Sequence, residues 1–139
     1  MNPSFSDSGL QLIEYNKKQL IELLNPIVDI HYVNFQRTAI YLRIQNLIQP
    51  FNYSEQNILE KEIRACFPVF IHNLLQLCPA ITQTEIIICC LSFRFSMKTI
   101  GLCLGCSDSD SIRQHKFRIK HKMTLNSDNS FLFDFIFRK

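Results

Sequence analysis

The chain has 139 residues, 47% hydrophobic and 19% charged, at a mean hydropathy of +0.02. That supports one compact domain or two small subdomains with a real core, and argues against a disordered tail or a long solvated coiled coil. The net charge of +3 is unevenly placed, with six basic against seven acidic residues over 1–79 and nine against five over 80–139.

Three Gly and five Pro offer few turns, which favours long helices over a sheet-rich fold. Residues 8–24 predict an amphipathic helix, with Leu10, Ile13, Lys17, Leu20, Ile21 and Leu24 at helical spacing and one lapse at Lys17. Asn25-Pro26 is expected to break it. A second pattern runs from about Val28 to Ile48, with a slip of apolar phase near Gln36-Arg37-Thr38, and Gln49-Pro50 ends it. Ser54 is the expected N-cap of the next helix, with Glu55 near its positive end. Ile58, Leu59, Ile63 and Cys66 form its apolar side. Phe67-Pro68 opens a further helix, because Pro is tolerated in the first turn. That helix carries Val69, Phe70, Leu74 and Leu77 and ends at Cys78-Pro79.

Thr82-Gln83-Thr84-Glu85 has the form of a capping box, hydroxyl first and carboxylate three residues later. The run Ile86 to Leu91 is apolar on nearly all faces, so its helix should be central. The β-branched isoleucines would suit a strand equally, but the cap and the lack of a partner strand favour helix. Ser96 caps a short helix from Met97 to about Leu104, and Gly105 follows as a residue free to take φ > 0. Ser107 to Ser111 is a turn. A last strong helix runs from about Ser109 to Met123, with Ile112, Ile119 and Met123 on one face and Arg113, Gln114, Phe117, Lys120 and His121 turned away from it. A polar break at 124–130 separates it from Phe131 to Phe137, which must dock or associate to hide four Phe.

These parts make up a helix-turn-helix, whose second helix lies in the DNA major groove with one apolar and one polar, basic side. The stretch Ile81 to Gly105, followed by Ser111 to Met123, resembles the DNA-binding region of LuxR/GerE-type transcriptional regulators over about 45 residues. Phe67 to Ile71 and Leu74 to Pro79 resemble the helical lead-in of bacterial regulators of this kind. The resemblance implies that Lys98 meets a phosphate and that Ser111 opens the recognition helix. It puts Arg113, Gln114 and Phe117 at groove-facing positions and matches His115 to the family's His. Lys116, in the same basic helix, joins the DNA-binding set, and Lys120 and Lys122 match a basic tail. In this chain Phe95 stands for the family's Gly, Thr99 for Glu and Gly101 for Ala, and the turn is about one residue longer and carries Asp108 and Asp110.

Six Cys without a basic, apolar leader read as reduced thiols of a cytoplasmic protein. Cys103 and Cys106 form a single CxxC, for which core packing outweighs zinc or redox chemistry. Cys89 and Cys90 read as core. His31 and His72 stand apart from any ligand cluster. No metal, cofactor, catalytic constellation or membrane span is expected. The expected architecture is all-α: an N-terminal helical region over 1–79 packed on a helix-turn-helix over 80–139, in a LuxR/GerE-like bundle without a clear wing. The expected function is non-enzymatic, sequence-specific binding of double-stranded DNA in transcriptional regulation. The alternative is a protein-interaction module derived from a helix-turn-helix whose acidic turn has lost DNA. A homodimer is expected, because the helix from Leu10 to Leu24 and the Phe131–Phe137 tail look like surplus apolar surface.

Overall fold

The computed structural model describes residues 3–125 and 129–137, with side chains described from residue 16 onward. Among the described residues there are eight helices and no strand: α1 (Pro3–Phe35), α2 (Ala39–Gln45), α3 (Tyr53–Cys66), α4 (Pro68–Leu77), α5 (Gln83–Ser92), α6 (Met97–Cys103), α7 (Asp110–Leu125) and α8 (Ser130–Ile136). The all-α class is as expected. The side chains of Leu10 and Ile13 in the N-terminal stripe, and residues 126–128 of the polar break, lie outside what is described.

The expected break at Asn25-Pro26 does not occur, and α1 continues through Pro26 to Phe35. Proline inside a helix costs about 3 kcal/mol. Against this, Leu24, Val28, Tyr32 and Phe35 fall on one face and are all fully buried, each worth ~1.5–3 kcal/mol. Pro26 itself lies on the exposed side, where a helix carbonyl left without its donor can turn to water. The phase slip at 36–38 is real. Phe35 ends α1, and the Thr38 hydroxyl accepts from the Tyr41 N–H to start α2.

Ser54 is not the cap of α3. Asn52 is, its Oδ1 accepting from the Glu55 N–H at 2.8 Å while Glu55 Oε1 accepts from the Asn52 N–H at 3.0 Å. A capping box needs its carboxylate three residues after the cap, and Glu55 stands at that distance from Asn52. Pro68 opens α4 as expected, but Phe67 has no side chain able to cap it. A residue of α1 supplies the acceptor instead: His31 Nε2 takes the Phe70 N–H at 3.3 Å. His31 is buried against the edge of Phe67.

That arrangement predicts an acid-sensitive fold. Burial lowers the His31 pKa below its ordinary 6.5. The unfolded chain therefore takes up the proton first, and the contribution of neutral His31 is present above about pH 6.5 and lost as pH falls below it. Protonation also removes the acceptor and sets a cation at the positive end of α4. Denaturant midpoints should fall between pH 8 and pH 5, and His31→Gln, which keeps an acceptor but does not titrate, should fall less. Equal losses would assign the acid sensitivity elsewhere.

The Thr82 capping box of α5 is present, with Glu85 closing it. All residues from Glu85 to Ser92 are buried, so α5 is the central helix. The hydrophobic core is continuous across the 79/80 boundary. Phe67 and Phe70 from one side and Ile88, Leu91 and Phe135 from the other belong to one cluster. Tyr32 donates to the Cys90 carbonyl, Asn129 Nδ2 to the Leu77 carbonyl, and the Phe51 N–H to the Leu102 carbonyl. The Phe-rich tail docks on its own chain as α8, with Leu132, Phe133, Phe135, Ile136 and Phe137 buried. It is not surplus surface, which removes one of the two grounds for expecting a dimer. No described helix is long and apolar enough to cross a membrane.

Candidate nucleic-acid interface

α5 packs on both α6 and α7, and α6 packs on α7. Ser96 caps α6, its hydroxyl accepting from the Thr99 N–H. At the other end the Gly105 N–H reaches the Leu102 carbonyl and the Cys106 N–H reaches the Gly101 carbonyl at 2.8 Å. This pair of bonds with Gly105 at φ +82° is a Schellman termination, which only glycine adopts without strain. The chain then turns through residues 104–109 into α7. The Asp108 carboxylate accepts the Asp110 N–H at 2.9 Å and so helps start the helix.

The turn lies tight against α6 at Gly101. A Cβ placed there would come within 2.9 Å of the Asp108 carbonyl oxygen and 3.4 Å of Ile112. An alanine there would collide with backbone. Gly101→Ala should therefore destabilise the chain by about 1–3 kcal/mol, the cost of overpacking a tight contact. Thermal unfolding checks this, and an unchanged Tm would mean that the turn yields freely.

α7 buries Ile112, Ile119 and Met123 completely, as their spacing predicts. Its outward side carries Arg113, Gln114, Phe117, Arg118, Lys120 and His121, all exposed. Arg113, Gln114, Phe117 and Arg118 line a shallow groove there. The helix holds five Lys/Arg against one Asp. That acid, Asp110, lies 3.7 Å from Arg113 with both side chains largely in water, so the pair constrains Arg113 weakly.

The seven residues singled out from sequence do not all share this face. Arg113, Gln114, Phe117 and Lys120 do. Lys98 is exposed at the second position of α6. Lys116 is half-buried, its ammonium 5.3 Å from the centre of the Phe137 ring, and the Lys120 ammonium stands 5.6 Å from Phe133. Both lysines thus lean toward α8 and form an edge of the face. The Ser111 hydroxyl is enclosed with no hydrogen-bond partner among the described residues, so it faces inward. Lys122 is not part of a free basic tail. Its Nζ lies 2.6 Å from Glu85 Oε1, with Glu85 only 2% exposed. Burial alone would raise the Glu85 pKa, but hydrogen bonds from Lys122 and Thr82 outweigh it and hold the carboxyl below its usual range. Arg118, which the resemblance does not single out, stands on the same side through its i+4 spacing from Gln114.

Cys103 is buried in the core, and burial pushes its thiol up to about 12. Among the described residues no group of three His, Cys, Asp or Glu is placed to hold a metal ion. No protein-family model, curated protein or solved structure matches the chain.

Proposed function

We propose that the chain is a sequence-specific DNA-binding regulator of transcription, acting by binding and not by catalysis, with α7 as its recognition helix. The observation that carries this reading is the outward side of α7. Arg113, Gln114, Phe117, Arg118 and His121 stand exposed together on a helix whose opposite side is locked in the core. Cations there neutralise phosphates, and the amide and guanidinium groups can read base edges. The resemblance of residues 81–123 to LuxR/GerE-type regulators supports it, as does the packing of α6 and α7 on α5. One helix covers little DNA, so the reading includes two copies on paired half-sites.

A protein-interaction module is the second reading. The exposed Asp108 and Asp110 at the head of α7 favour it, since they would repel phosphates. Gel mobility of random-sequence duplex DNA separates the two. Binding that falls steeply with salt supports DNA recognition, and no binding at low salt supports a protein partner. On a selected duplex, Arg113→Ala and Gln114→Ala should each cost about 1–3 kcal/mol and relax base preference. Lys98→Ala should weaken all sequences alike. Unchanged footprints and affinities in the first two variants would remove α7 from the role.

A further inference from the structure

Phosphate binding does not account for the centre of the α7 face. Of the eleven phenylalanines with described side chains, Phe117 alone is exposed, at 72%. It stands in the groove formed with Arg113, Gln114 and Arg118. The three other apolar side chains of α7 named above are fully buried, so the helix has no shortage of core-facing positions. A ligand suited to this face is anionic at its rim, to meet the two guanidinium groups, and offers an apolar group at its middle, to meet Phe117. The major groove of duplex DNA has both. Its rim is phosphate, and the C5-methyl of thymine is the apolar group on its floor. Gln114 precedes Phe117 by three residues and therefore neighbours it on the helix surface. A glutamine amide matches the N7 acceptor and N6 donor of adenine.

We propose that Phe117 is a specificity-determining residue for thymine, packing on the C5-methyl in the major groove beside an adenine held by Gln114. The preferred half-site then contains an A·T step under the middle of α7. This rests on the DNA-binding reading above, and the test separates the two. The purified full chain is used to select duplexes from a pool of short random DNA. The winners are made again with deoxyuridine in place of thymidine, which removes the methyl and keeps every hydrogen-bonding edge. Wild type should bind the uridine duplexes several-fold less tightly. Phe117→Ala should bind both forms equally, at about the wild-type level on uridine DNA. Because Phe117 is exposed, the variant should keep the wild-type Tm, which shows that the fold is intact. Equal wild-type binding of both forms overturns the assignment and leaves DNA recognition standing, as does a methyl effect of undiminished size in Phe117→Ala. Failure to select any duplex at low salt overturns both, and leaves Phe117 to a protein partner.

Discussion

Phe67→Ala is expected to destabilise the chain by about 3–5 kcal/mol, the range for truncating a fully buried phenylalanine. Phe67 has no exposed surface and makes T-shaped ring contacts with His31, Tyr32 and Phe35. Its loss empties the joint between α1, α3 and α4. The core is continuous across residues 79 and 80, so the damage should not stay in the N-terminal half. One cooperative transition, shifted as a whole, should be seen by both circular dichroism and hydrogen exchange of α7. An α7 that keeps its protection while α1–α4 melt would mean two independently stable units.

Lys122→Met should cost about 3 kcal/mol, at the lower end of the range for stranding one partner of a buried ion pair. Glu85 is almost wholly enclosed, while Lys122 remains 27% exposed, so part of its charge is already solvated. The variant should also respond to pH in a way that core truncations do not. In the native chain Glu85 is held below its ordinary pKa, so its contribution is present above about pH 4.5 and is lost as pH falls through the lower folded value. Without Lys122, burial dominates, and the variant should recover part of its deficit on acidification as Glu85 takes a proton. A deficit constant from pH 7 to pH 4 would rule out a charge origin. Glu85→Gln in the Lys122→Met background should restore stability, because the glutamine amide oxygen can still accept the Thr82 N–H and the buried charge is gone.

Local rules were legible in the sequence at most element ends, α3 excepted, where Asn52 and not Ser54 is the cap. Thr82 with Glu85, Ser96 before α6, Pro68 at the start of α4 and Gly105 after α6 each act through their own backbone neighbourhood, and each is found in that role. Rules that depend on distant packing were not legible. Pro26 predicts a break that four buried side chains of α1 override. His31 looks like an isolated histidine until α4, thirty-nine residues on, needs an acceptor. In the candidate interface, helical spacing sorted Ile112, Ile119 and Met123 from Arg113, Gln114 and Phe117. It could not show that Lys116 and Lys120 lean on the aromatic rings of α8, nor that Lys122 answers a carboxylate in α5. The first depends on where the segment beyond the polar break docks, and the second on how α5 meets α7.

The continuity of α1 bears on how the chain is made. Its buried side is completed by α3, α4 and α8, and its latest described contacts span most of the sequence, from Asp29 to Arg94 and from Lys17 to Phe131. A helix synthesised early is thus sealed by a segment synthesised late. Until α8 leaves the ribosome, the side of α1 bearing Val28, which lies beside Phe135 and Ile136, has no complete cover. Contacts of such sequence separation slow closure of the native topology. Nascent chains stalled before residue 130 should therefore be the species that chaperones hold or that aggregates, and emergence of α8 should be the event that ends it.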